Sequence, residues 1–273
     1  MTTIAPIAPV GVLLREWRNR RRRSQLDLAA DAEVSTRHLS FVETGRSKPS
    51  RELLLHLAEH LDVPLRDRNS LLLAAGYAPE HRETPLDDEA MAPVRAALRT
   101  ILTGHEPFPA LILDRHSCLV MANGPLLALM SEGIAPELLE PPINVLRVSL
   151  HPEGLAPRIA NLAEWGTHLL TRLHRQAILT GDAELVRLRD ELLGYPGVGG
   201  VTEGHDPASM LFVPLRLRSA DGTLLSFFST VTTFGTAVDI TLAELAIETF
   251  FPADAATEAF LRSDALRESA TAE

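Results

Sequence analysis

A chain of 273 residues with 45% hydrophobic and 23% charged content is long enough for two ordinary domains with proper cores, and a disorder-dominated protein is excluded. A single cysteine, Cys118, excludes an internal disulfide, and neither a signal peptide nor an apolar stretch of about 18 residues is present, so a cytoplasmic protein without membrane contact is expected. The net charge of -10 hides an asymmetry: residues 1–50 carry nine Arg/Lys against five Asp/Glu, while residues 81–273 carry 14 basic and 26 acidic side chains. The basic end is where a polyanion would bind.

Val10, Leu13, Leu14 and Trp17 fall at helical spacing and run into "RNRRRR", Arg18 to Arg23, which suits a helix C-terminus and offers cations to phosphates. Ser24 then caps a second helix with Leu28, Ala29 and Ala32 inward. Ser35 caps a third, with Leu39 and Val42 inward and Gly45 as its stop. Ser50 caps a fourth carrying Leu53, Leu54, Leu57 and Leu61, and Pro64 opens a fifth carrying Leu71, Leu72 and Ala75 before Gly76. The result is a compact five-helix domain at about 8–77.

Residues 78–87, proline-bearing and acidic, read as a linker, and a helix from about Asp88 to Thr103 opens a second domain at 88–268. Its "PALILDRHSCLVMAN" reads as two strands around a turn at Asp114–Ser117, and "LFVPLRLRSADGTLLSFFSTVTTF" as a hairpin turning at Asp221-Gly222. Between them one helical stretch runs from Pro157 to about Leu193, with Leu162, Trp165, Leu169 and Leu173 recurring at three- and four-residue intervals. A strand around Leu245–Phe251 and a helix capped by Asp254 complete an α+β domain with an antiparallel sheet.

Two short helices joined by a tight turn, the second opened by a Ser cap, form a helix-turn-helix, whose second helix lies in the major groove and presents its N-terminal residues to base edges. With Leu39 and Val42 inward, Thr36, Arg37, Ser40 and Phe41 face outward, beside Ser35 and His38. Arg37 can fork onto guanine O6 and N7, and the apolar Phe41 ring suits a thymine methyl, although it could also pack at a dimer seam. Gln25, Ser40, Arg46 and Lys48 are placed to hold phosphates. Glu43, a carboxylate that phosphates would repel, reads as a structural partner within the domain.

The segments "SQLDLAADAEVS" and "LSFVETGRSKPS" resemble the Cro- and repressor-type, or xenobiotic-response-element-type, DNA-binding domains. One departure is Glu33, where that family commonly places glycine in the turn; a non-glycine at positive φ costs roughly 1 kcal/mol or more. Together with "PPINVLRVSLHPEGLAPRIANLAEW", the run from Arg37 to Pro79 looks like the MmyB-like regulators over nearly the whole chain. This resemblance implies a C-terminal PAS-like domain that holds a small apolar, fatty-acid-like molecule.

Candidate polar groups for such a pocket are Arg147, His151, Trp165 and His168. Arg147 could meet a ligand carboxylate or pair with a structural acid, and Trp165 could be ligand wall or core. His168 and His174 point roughly 240° apart on one helix, no metal-ligand spacing occurs, and no GxSxG, phosphate loop or dinucleotide fingerprint stands in the right context, so neither a metal nor an enzyme is expected. "GYPGVGG", Gly194 to Gly200, reads as a flexible loop, and Cys118 as an inert thiol within a strand. The expectation is a sequence-specific regulator that binds double-stranded DNA as a homodimer on paired half-sites and is gated by a small apolar ligand. In the alternative, the second domain serves protein contact without a ligand.

Overall fold

The computed structural model describes residues 8–130, 133–199 and 213–263. The hairpin's expected beginning at Leu211-Phe212, Gly200 of the glycine-rich loop and the expected domain end at 264–268 lie outside them. The chain divides into two compact units: Met1–Thr84 with Ile178–Gly181 and Thr236–Ala243, and Pro85–Ala177 with Asp182–Gly235 and Glu244–Glu273.

The first unit carries α1 (Val10–Arg20), α2 (Gln25–Asp31), α3 (Thr36–Glu43), α4 (Arg51–His60) and α5 (Leu65–Ala74). Three of the five starts are set by serine: Ser24, Ser35 and Ser50 accept from the backbone N–H of Asp27, His38 and Leu53. Ser24 and Asp27 form a reciprocal capping box, which satisfies two orphan donors at once. Leu14, Trp17, Leu28, Leu39, Val42, Leu57, Leu61 and Leu71 make one buried core. Packing of α1 on α3 is tight enough that a Cβ at Gly11 would stand 2.4 Å from the Val42 carbonyl oxygen. Residues 78–83 fold back on α5, where Asn69 Oδ1 accepts from the backbone of Glu80 and His81 and Arg66 pairs with Glu83.

Two members of the arginine run are engaged within the unit. Arg21 donates to the carbonyls of Leu61 (2.8 Å) and Asp62 (2.7 Å), and Arg23 to that of His60 (3.2 Å) while pairing with Asp31. These are the last carbonyls of α4 and its turn, which lack helical partners and carry the negative end of the helix dipole. Arg20 and Arg21 also lie over the Trp17 ring. Arg21 and Arg23 therefore tie the end of α1 to the end of α4.

Glu33, in the turn between α2 and α3, adopts φ +52°. A left-handed conformation costs an L-residue about 1–2 kcal/mol, which glycine avoids at the expense of a more flexible unfolded chain. Glu33→Gly is therefore expected to stabilise this unit by about 0.5–1 kcal/mol, read as a higher urea midpoint with an unchanged slope.

The second unit is α+β. A short 3₁₀ turn at Glu89–Met91 leads into α6 (Ala92–Gly104), and β1 (Ala110–Leu113) and β2 (Leu119–Ala122) follow. Next come α7 (Gly124–Met130), α8 (Val145–Leu150), α9 (Leu162–Thr180) and α10 (Ala183–Leu193), then β3 (Leu215–Arg218) and β4 (Leu224–Thr233). The short α11 (Ile240–Ala243), whose residues group with the first unit, precedes β5 (Ala246–Pro252) and α12 (Ala255–Arg262). The five strands form one sheet in the order β2-β1-β5-β4-β3, and every pairing is antiparallel. Gly222 at φ +88° makes the β3–β4 turn where the Asp-Gly signal places it.

The single helix expected from Pro157 to Leu193 is instead two. Gly181 takes φ +70° and Asp182 accepts from the Glu184 N–H, so one helix stops and the next starts within two residues. Leu111, Leu113, Leu217, Phe227 and Phe250 of the sheet share a core with Leu126, Leu129, Leu146, Val148, Trp165, Leu169 and Leu173 of α7 to α9. Among the described residues, no helix is long and apolar enough to cross a membrane.

Candidate nucleic-acid interface and ligand cavity

In the first unit, α3 is held from its inner side by Glu43. Its carboxylate is buried and accepts from Arg18 Nε (2.7 Å), Arg18 Nη2 (3.0 Å) and Gln25 Nε2 (2.8 Å). One carboxylate thus joins α1, the start of α2 and the end of α3, and its hydrogen bonds push the Arg18 guanidinium further above its ordinary range. Gln25, expected to hold a phosphate, commits an amide donor to this network.

The outer side of α3 is polar and cationic. Arg37, Arg46 and Lys48 are exposed, whereas Thr36, His38, Ser40 and Phe41 are half-buried. The Ser35 hydroxyl oxygen is engaged in capping. Phe41 carries both neighbouring guanidinium groups over its ring, Arg37 at 5.3 Å and Arg46 at 5.9 Å from the centroid. This orients two long, flexible cations with an apolar surface, which lowers what their ordering on a ligand costs. Lys48 Nζ sits 5.1 Å from the Tyr77 ring centroid, and the Tyr77 hydroxyl donates to the Pro49 carbonyl. No acidic side chain is among these outward residues.

In the second unit a cavity of about 90 Å3 lies between the sheet and α7 to α9. Leu111, Leu217, Phe227 and Phe250 line it from the sheet, Leu126, Leu129 and Met130 from α7, and Val145, Leu146 and Val148 from α8. The polar side chains on its wall are Ser149, Arg172 and Glu248, with Trp165 beside them. Arg172 donates to both Glu248 oxygens at 3.1 Å, and the Ser229 hydroxyl adds a bond of 3.0 Å to Oε1. Trp165 Nε1 donates to Ser149 Oγ at 3.2 Å.

The chain thus carries a basic helix face in one unit and a largely apolar cavity in the other. Residues 94–263, more than half of the chain, match the family described as MmyB-like transcription regulator ligand binding domain. The chain belongs to the MmyB-like transcription regulators. Residues 9–71 of this regulator match a helix-turn-helix domain, so the chain combines a DNA-binding module with a ligand-binding one. Among solved structures it is similar to "Structure of an RNA-binding Light-Oxygen-Voltage Receptor" at 14% identity and a TM-score of 0.27, covering 95% of this chain and 61% of that one. No curated protein matches.

Of the four pocket candidates named from sequence, Trp165 lines the cavity of the MmyB-like regulator and His168 stacks on Trp165 at 5.4 Å. Arg147 and His151 do not line it. Arg147 makes a bidentate, partly exposed pair with Glu191 (2.7 and 2.8 Å), and His151 packs edge-on against Tyr195. Tyr195 donates to Glu191, and burial together with that bond pushes its hydroxyl up to about 12. The reason lies in α8: positions 145, 146, 148 and 149 form the face turned to the cavity, and 147 falls on the other side, toward α10.

Sequence reasoning passed over Arg172 and Glu248. Arg172 stands seven residues after Trp165, on the same helical face, and Glu248 interrupts the apolar run "LAIETFFP". Glu248 was a visible signal of a buried charge. A further group also escaped local spacing rules: His116 Nε2 lies 2.9 Å from Asp182 and 3.1 Å from Glu184, with Arg115 at 3.6 Å from Asp182. Donors from the β1–β2 turn there meet the acidic start of α10.

Burial, reinforced by the nearby Arg172 cation and opposed by Glu248, holds the His168 imidazole below its ordinary value of 6.5. On acidification the unfolded chain binds this proton first, so the stability conferred by neutral His168 is complete above about pH 6.5 and is lost as pH falls through the folded value. The urea midpoint of the wild-type second unit is expected to drop between about pH 7 and pH 5 more steeply than that of His168→Asn.

Proposed function

We propose that the protein is a cytoplasmic, sequence-specific transcriptional regulator that binds duplex DNA as a homodimer and is gated by a small, long-chain apolar molecule of fatty-acid-like character. The observation that carries the DNA half is the outward side of α3, where the exposed Arg37 and Arg46 both lie over the Phe41 ring. In a major groove, Arg37 near the helix start reads guanine, while Ser40, Arg46 and Lys48 contact phosphates. Thr36 and His38 border the same face. One such helix reads only a few base pairs, so two copies a helical turn apart supply the specificity.

The ligand half rests on the cavity, apolar on most of its wall with a few polar side chains, which is the usual make-up of a small-molecule site. The test is selection of bound duplexes from a random pool by the full-length protein, before and after lipid extraction and after re-addition of the extract. A paired motif whose affinity changes with the extract is the expected result. A motif indifferent to the extract would assign the second domain to protein contact, and no motif would refute DNA reading.

A further inference from the structure

The charged pair on the cavity wall, Arg172 with Glu248, is electrically closed. Glu248 is buried, 4% exposed, and its carboxylate takes two bonds from Arg172 and one from Ser229. Arg172 is therefore neutralised before any ligand arrives, and a ligand head next to it also stands next to a carboxylate. A carboxylate leaving water for this site would find no net positive charge in return and would meet a like charge, two conditions under which buried anions are strongly disfavoured. Arg147, the other cation considered for a ligand head, is outside the cavity and paired with Glu191.

Ser149 offers something different. Its oxygen accepts from Trp165 Nε1, and its own hydroxyl hydrogen has no acceptor among the described residues. A donor of this kind, beside the Trp165 indole on a mostly apolar wall, suits one uncharged oxygen.

We propose that the ligand is a neutral amphiphile, an alkyl chain ending in an uncharged hydrogen-bond acceptor such as an alcohol or an ester, and not a carboxylate anion. This rests on the reading of the cavity as the sensing site and replaces only the acid head of the fatty-acid-like molecule. Ser149 donates to the head oxygen, Trp165 holds Ser149 in place, and the Arg172–Glu248 pair acts as the specificity determinant that rejects anions.

The experiment compares 1-decanol with decanoate, two probes of equal chain length that differ in head charge, by calorimetric titration of lipid-extracted full-length protein at about pH 8. Decanol is expected to bind at least about tenfold more tightly than decanoate. In Glu248→Gln, which leaves Arg172 unneutralised, decanoate should gain at least about tenfold while decanol changes by less than about threefold. Ser149→Ala should weaken decanol by about three- to tenfold, the worth of one neutral hydrogen bond, and it keeps the test alive if Glu248→Gln does not fold. Decanoate binding wild type as tightly as decanol, or tighter, would overturn the proposal and leave the cavity as a sensing site. Binding of neither probe would overturn both.

Discussion

Glu43→Ala is expected to unfold much of the DNA-binding unit at ambient temperature. The substitution leaves Arg18, whose side chain is 10% exposed, without the carboxylate that takes two of its bonds, and it also strips Gln25 of its partner. Breaking a buried ion pair on one side costs about 3–5 kcal/mol, because the remaining charge is desolvated and uncompensated. A helical unit of this size has roughly 4–10 kcal/mol in total, at about 0.05–0.15 kcal/mol per residue. Far-UV circular dichroism during urea titration should show the helical transition shifted to low denaturant, with DNA binding lost in parallel. Replacing both partners, as in Arg18→Met with Glu43→Leu, should recover most of the midpoint, because apolar residues of similar volume pack there without the desolvation cost. If Glu43→Ala melted like wild type, the three-helix junction assigned to this carboxylate would not exist in solution.

That junction shows which parts of the molecule were legible in the sequence. A carboxylate on the helix meant to face phosphates reads as an internal partner on charge grounds alone, and Glu43 is one. The Ser caps at 24, 35 and 50 are similarly local: a hydroxyl, a helix start and an apolar stripe lie within four residues of one another. The Asp-Gly turn between β3 and β4 is local too. The arginine run was not, since its carbonyl partners at His60, Leu61 and Asp62 are about 40 residues away and no pattern within the run points to them.

The cavity follows the same division. Helices α7 and α8 have seven and six residues, too short for a 3.6-residue period to declare itself, and no element was assigned to them. Once α8 is placed, Val145, Leu146, Val148 and Ser149 turn to the cavity and Arg147 falls on the side of α10. The helix break at Gly181-Asp182 was readable as a stop followed by a cap, but the leucine periodicity on both sides masked it. Arg172 and Glu248 are 76 residues apart and meet only because β5 and α9 both border the cavity. Pairing of that kind is written in topology, and a single sequence does not display it.

Arg37→Ala is expected to cost the most of any substitution that leaves the protein folded. Arg37 is exposed, so its removal should shift the melting temperature little. On DNA, a bidentate arginine–guanine pair discriminates by about 1–3 kcal/mol, and a dimer on two half-sites loses it twice, about 2–6 kcal/mol in all. The loss should be uneven across operator variants: large where the contacted base is guanine, small where it is not, so the selected motif flattens at one position per half-site. Lys48→Ala supplies the contrast, because a phosphate contact carries no sequence information; binding should weaken about uniformly, and the salt slope should fall by roughly one unit per lysine removed. Phe41→Ala should resemble a partial Arg37→Ala, since the ring holds both guanidinium groups and Arg46 keeps its charge without it. Competition binding against a panel of single-base operator variants, repeated at two salt concentrations, separates the three. An Arg37→Ala protein with an unchanged sequence preference would mean that α3 enters the groove on another face, and the reading of this helix would have to be rotated.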